Sequence, residues 1–217
     1  VNKKRFIGAV AVCIVVVATA GGTYAAFQAS TSTEKTISTA SLEVVLQMKG
    51  AQVSENGEVV YTPENIKEGE IKERVSAANH GSRDMYIRIH VNKAWYQENE
   101  KVNQVDGKSV QASAIGVSFI NDEDWIVEQK AAEGEDFYIY YRKPVAAGKE
   151  TSDFMDAFTL MKDMQENTNQ YTGLHARMKF DAEAIQTVAA EQAMLAEWGV
   201  QVTFQPDGSM KAVSSQQ

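Results

Sequence analysis

The sequence predicts an all-β fold: a two-sheet antiparallel sandwich with a short C-terminal helix, preceded by an N-terminal signal helix. Three observations carry this. Apolar and polar residues alternate with period two in several separate runs, as in strands with one buried face. Turn-forming clusters of Gly, Asn, Asp and Pro separate those runs. No internal repeat and no βαβ signature interrupts the pattern, which leaves antiparallel sheets packed face to face.

The first element is not part of the sandwich. Lys3, Lys4 and Arg5 are basic, residues 6–20 are apolar, and Gly21-Gly22-Thr23-Tyr24-Ala25 is a small-residue exit. Those are the three parts of a secretory signal peptide. The apolar run is shorter than the roughly 20 residues a spanning helix needs. The paired glycines also weaken its last helical turn. Thr23 and Ala25 fit the small pockets of a signal peptidase, which places the cut before Ala26 and makes residues 1–25 the leader. A secreted protein with no stable membrane anchor after cleavage is the expectation.

Residues 26–39 form an extended polar segment without hydrophobic periodicity, and residues 40–204 form the sandwich. Ala40, Leu42, Val44 and Leu46 alternate with Ser41, Glu43, Val45 and Gln47 in the first strand. Residues 58–61 form a short strand after the Glu55-Asn56-Gly57 turn. Residues 71–78 form another, with Ile71, Val75 and Ala77 inward, and Asn79-His80-Gly81-Ser82 turns the chain. Met85, Ile87, Ile89 and Val91 then alternate with Tyr86, Arg88, His90 and Asn92, a strand expected to form a hairpin with the one before.

Residues 98–113 read as a loop or insertion, with Asp106-Gly107 as a turn. Strands follow at 115–120, 125–128 and 137–141, the first two joined by the acidic turn 121–124, and residues 144–148 turn the chain again. Phe154, Ala157, Phe158 and Met161 suit a helix face, while Ala157, Thr159 and Met161 suit a strand; periodicity leaves both open. Ala176, Met178, Phe180, Ala182 and Ala184 are inward, and His175, Arg177, Lys179, Asp181 and Glu183 outward, on the next strand. Residues 188–198 are Ala-rich and end at Gly199, as a short helix does. A last strand at 200–204 precedes a polar tail, 205–217.

The 217-residue chain carries a net charge of −8, and subtracting the leader's three positive charges leaves the remaining 192 residues near −11. A body of that sign does not bind nucleic acid nonspecifically, because phosphate binding needs a basic face. The one cysteine, Cys13, lies in the leader. The trimmed chain therefore forms no disulfide and has no thiol chemistry, so packing alone must stabilise it.

The chemistry census is short. His80, His90 and His175 show no zinc-protease spacing and fall in a turn or on outward faces. Asn121, Asp122, Glu123 and Asp124 lack the calcium-loop pattern and suit a solvated turn. Trp125, Tyr138, Tyr140 and Tyr141 suit a ligand groove or, more economically, cross-strand packing. No serine nucleophile elbow or phosphate loop is present. No catalytic residue, metal ligand or cofactor is assigned, and a structural or binding role is expected rather than an enzyme.

Several blocks resemble the TasA and camelysin family, secreted proteins of Gram-positive bacteria that a SipW-type signal peptidase processes. GGTYAAF at 21–27 and TASLEV at 39–44 are similar to its export region. VSAANHGSRDMYIRIHV at 75–91, FYIYYRKPVAAGKET at 137–151 and NQYTGLHARMKFDAEAIQ at 169–186 resemble its strands and turns. Within the family, the clostridial-type biofilm matrix proteins are the nearest in pattern. The resemblance implies a jelly-roll sandwich and a subunit of extracellular matrix fibres. It also implies that the freed leading segment inserts as a strand into the next subunit. Carried onto this chain, that donor is Ala26, Phe27, Gln28, Ala29, Ser30, Thr31, Ser32, Thr33, Glu34 and Lys35. The implied partners are the chain itself, the signal peptidase and other matrix or anchoring proteins. A camelysin-like surface metalloprotease and a monomeric surface adhesin are the alternatives.

Overall fold

In a computed structural model, described over residues 28–29, 42–50, 58–61, 70–127, 129–160, 171 and 173–215, the alternating runs become strands almost one for one. In chain order these are β1 (Gln28–Ala29), β2 (Val44–Gly50), β3 (Glu58–Tyr61), β4 (Glu70–Asn79), β5 (Met85–Gln97), β6 (Glu100–Val102), β7 (Gln104–Val105) and β8 (Lys108–Ser109). There follow β9 (Ile115–Phe119), β10 (Trp125–Val127), β11 (Asp136–Tyr141), β12 (Met155–Leu160), β13 (His175–Gln186), β14 (Val200–Phe204) and β15 (Met210–Ser215). A four-residue helix α1 (Gln129–Ala132) precedes β11, and α2 (Ala190–Trp198) lies between β13 and β14. The leader and its cleavage residues Thr23, Ala25 and Ala26 lie outside the described residues.

Every ladder is antiparallel. One sheet runs β2-β4-β12-β9. The other runs β13-β5-β11-β10, with β1 and β3 both on the outer side of β13 and β6 beside β5. The two sheets share one apolar core, as expected of a sandwich. Phe158 of β12 lies 6.3 Å from Phe180 of β13, and Phe119 of β9 lies 6.2 Å from Phe137 of β11. Met85, Ile87, Ile89 and Val91 of β5 are fully buried between the sheets. Each such side chain stabilises the fold by about 1.5–3 kcal/mol.

Four expectations need correction. First, β4 and β5 are not a hairpin, because β4 lies in one sheet and β5 in the other. The turn between them carries the chain across the sandwich, and Asn79 organises it. Its buried side chain donates to Val145 O and Arg83 O, both at 2.8 Å, and its Oδ1 accepts from the Gly81 N–H at 2.9 Å. These bonds add to the backbone pairs Met85 N–H to Val145 O and Gly81 N–H to Glu43 O, so the turn is held from both sides of the sandwich.

Second, the outward face of β5 is not all solvated. Tyr86 and Arg88 are buried beneath α2, β14 and β15, which form a second apolar cluster with Trp198, Met194, Val202 and Met210. Third, residues 205–217 are more than a polar tail. They contain β15, which pairs with β14, and Met210 within it is fully buried. Fourth, residues 98–113 are less irregular than a loop: β6 extends the sheet at β5, and β7 and β8 form a small hairpin. Its tip is Asp106-Gly107, both at positive φ (49° and 76°), as a tight hairpin turn requires.

The segment that periodicity left open is a strand. In β12 the register shifts between Met155 and Ala157 against both neighbours. That bulge breaks the alternation and gives Phe154, Ala157 and Phe158 their helix-like spacing. The C-terminal helix forms as read and ends at Gly199, whose φ of 65° suits a left-handed cap and whose N–H donates to Met194 O. Among the described residues, no helix is long and apolar enough to cross a membrane.

Candidate functional site: the outer edge of β13

The inner edge of β13 is committed throughout, pairing with β5 from His175↔Tyr96 to Gln186↔Met85. The outer edge is assembled from two pieces of chain that come from far earlier in the sequence. β3 takes the end from Ala176 to Lys179, with Lys179 opposite Glu58. β1 takes the other end, with Gln28 opposite Ile185 and Ala29 opposite Ala184. Four positions, Phe180 to Glu183, lie between the two ladders.

The inward residues of this strand, Ala176, Met178, Phe180, Ala182 and Ala184, are all buried, as their alternation requires. The outward residues are polar and held by neighbours. Arg88 donates to Glu183 Oε2 from Nη2 at 2.8 Å and from Nε at 3.0 Å. Its Nη1 donates to the Trp198 carbonyl at 3.2 Å, at the C-terminal end of α2, where a cation is favoured. Its guanidinium also lies 4.1 Å from the Tyr138 ring centroid and 4.8 Å from that of Trp198. Arg88 therefore ties β13, β11 and the C-terminal module together.

His90 performs a similar task one step along β5. It stacks on Tyr138, with centroids 4.8 Å apart, and sits between Asp181 of β13 and Asp136 of β11. Its pKa is raised, by the Asp181 carboxylate first, opposed by partial burial, and then by Asp136. Asp136 makes the shorter contact, 3.0 Å against 3.8 Å, but its side chain is 55% exposed against 25% for Asp181.

The other residues weighed from sequence are dispersed. His80 is exposed in the turn between sheets, and His175 stacks on Tyr96. Asp124 of the acidic turn pairs with Lys143 at 3.0 Å. Trp125 is buried in the main core, and Tyr140 is buried against Trp198. Tyr141 packs edge-on against Trp125, and Tyr138 alone of the tyrosines of β11 is appreciably exposed. They do not converge on one groove. Among the described residues, no group of three or more His, Cys, Asp or Glu is placed to hold a metal ion.

Of the ten donor positions, Gln28 and Ala29 lie on β13, while Ala26, Phe27 and residues 30–35 fall outside the described residues. The edge they meet was not assigned from sequence. The fold and this edge define a class: an all-β domain of antiparallel sheets whose leading segment adds to a sheet edge. No family model, curated protein or solved structure matches the chain.

Proposed function

We propose that this protein is a secreted structural subunit that polymerises head to tail outside the cell, each copy lending its leading segment to the sheet of the next. The observation that carries this is the pairing of Gln28–Ala29 with the end of β13. A strand at the very start of the trimmed chain lies on an edge that, among the described residues, it shares with β3. Such a strand exchanges between copies at low cost, because the backbone hydrogen bonds lost within one copy are regained with its neighbour. The contact is heterologous, so it propagates as a filament unless the rotation closes a ring. Leader cleavage before Ala26 frees the donor and couples assembly to export.

The reading agrees with the resemblance to the TasA and camelysin family, and it includes the jelly-roll connectivity and biofilm-matrix setting which that resemblance implies. The test is negative-stain electron microscopy of protein beginning at Ala26, at raised concentration, beside a version lacking residues 26–35. Filaments are expected from the first and a folded monomer from the second. Filaments from the truncated protein would refute strand exchange. Casein cleavage abolished by a chelator would replace this reading with the metalloprotease.

A further inference from the structure

His90 stands opposite Tyr138 of β11 on one side and Asp181 of β13 on the other, and both of its ring nitrogens face a carboxylate. Nε2 lies 3.0 Å from Asp136 Oδ1, and Nδ1 lies 3.8 Å from Asp181 Oδ2. A carboxylate only accepts hydrogen bonds, so a nitrogen that satisfies it must carry a proton. The neutral imidazole has one such proton and turns a lone pair toward the other carboxylate; the imidazolium serves both. The third neighbour agrees. The Tyr138 ring stacks on His90 with centroids 4.8 Å apart, and an aromatic face favours a cation.

The other cations on this face have carboxylates of their own. Arg88, the preceding outward residue of β5, is bound to Glu183, and Lys179 donates to Asp181 at 3.0 Å. Lys101 of β6 is paired with Glu135. Farther along β13, His175 and Arg177 are held at Tyr96, and Arg177 also by Glu98 O and Asn99. Asp136 accepts from the neutral Asn92 at 2.8 Å, and among the described residues its ion pair is the one with His90. β11 and β13 are not neighbours, since β5 runs between them, so one ring reaches across three strands. We propose that His90 is a proton-operated latch: as an imidazolium it ties Asp136 of β11 and Asp181 of β13 to β5 together, and as the neutral ring it keeps the closer Asp136 and lets go of Asp181. The latch does not depend on strand exchange. Its pKa is raised above 6.5, by Asp181 first, against partial burial, then by Asp136. A group whose folded pKa is raised contributes its stability in full below the unfolded value and loses it as pH rises through the folded one. The latch is therefore closed below about pH 6.5 and opens as pH passes the raised value.

Two measurements on the chain beginning at Ala26, kept dilute enough to stay unassembled, test the latch. The carbon-bound ring protons of His90, assigned by their absence in His90→Gln, report its titration by NMR. The midpoint should lie above 6.5, and Asp181→Asn should reduce the ring's proton affinity about threefold or more. A midpoint at or below 6.5, or one that Asp181→Asn leaves in place, overturns the latch. Urea midpoints of the parent and of His90→Gln, taken from about pH 6 to about pH 8.5, give the second reading. The parent's lead should be greatest at the acid end and shrink by about half or more toward the alkaline end. Lys93 is common to both proteins, so its own titration drops out of the difference. With Asp181→Asn in both proteins, most of that shrinkage should vanish. A lead that is constant with pH, or one that shrinks as much without the Asp181 carboxylate, makes His90 a plain surface contact and overturns the latch.

Discussion

Replacing Arg88 with Ala should loosen the C-terminal module before the sandwich unfolds. The side chains of Arg88 and Glu183 are 6% and 13% exposed, so the pair is nearly dry, and two donors of Arg88 reach one carboxylate oxygen. Taking away one member leaves a buried carboxylate without its cation, which costs about 3–5 kcal/mol. The same change frees the Trp198 carbonyl and removes the cation from between two aromatic rings. Losses of that size are a large share of a typical domain's stability of about 5–15 kcal/mol. Urea titrations followed by tryptophan emission and by far-ultraviolet circular dichroism read it out. In the variant the emission change, to which Trp198 contributes, should precede the loss of strand signal; in the parent the two should coincide more closely. Replacing both members with Met should recover most of the loss, because a well-packed apolar pair substitutes adequately for a buried ion pair. A destabilisation below about 1 kcal/mol for the single substitution would refute the clamp.

Two further outcomes follow from buried polar groups. Asn79→Ala removes three hydrogen bonds, although Val145 O keeps the Met85 N–H and Gly81 N–H keeps Glu43 O, and should cost about 1–2 kcal/mol, read as a fall in the urea midpoint without a change in slope; a shift of a few tenths would sink the role given to Asn79. Lys93 is buried with its Nζ donating to Ile115 O at 2.6 Å, and burial lowers its pKa to about 8 against the usual 10.5, with Glu133 opposing. Below pH 8 the amine is protonated folded or unfolded, and the cost of burying its charge is fully present. Between pH 8 and 10.5 the unfolded chain holds a proton that the folded chain has shed, so stability should rise with pH, by at most about 3 kcal/mol in all. Denaturation between pH 7.5 and 9.5 measures the slope, and Lys93→Met should flatten it; an unchanged slope would remove Lys93 as its source.

Most strands were legible because alternation is a local property. In β13, Ala176 to Ala184 and His175 to Glu183 separate onto two faces without reference to anything else in the chain. What a strand packs against is not local. The pattern in Met85–Val91 shows a buried face but not a sheet, so Asn79-His80-Gly81 looked like a hairpin turn. Its actual use depends on Val145, which lies 66 residues away. Likewise, alternation placed Tyr86 and Arg88 opposite the core face but could not show their cover, which begins with α2; the Arg88–Trp198 contact spans 110 residues. β15 escaped notice because one fully buried residue, Met210, anchors a strand whose other positions are largely exposed. The outer edge of β13 was illegible for a related reason: its described cover comes from β1 and β3, which lie far from it in sequence.

The same long-range contacts bear on the proposed assembly. A sheet edge accepts a neighbour's strand well when it need not reorganise first, since ordering costs subtract from the interaction. β13 meets that condition on each side described. Its inner edge is paired at every position with β5, Phe180 packs against Phe154 and Phe158, and Glu183 is fixed by Arg88. Arg88 in turn is held by Trp198, so the C-terminal module braces β13 at Glu183 through one side chain. On the proposed reading, the module is therefore part of the acceptor although it does not supply the edge. A strand lent by a second copy meets a β13 already ordered by α2, and the free energy of exchange goes into joining the two molecules rather than into building the site.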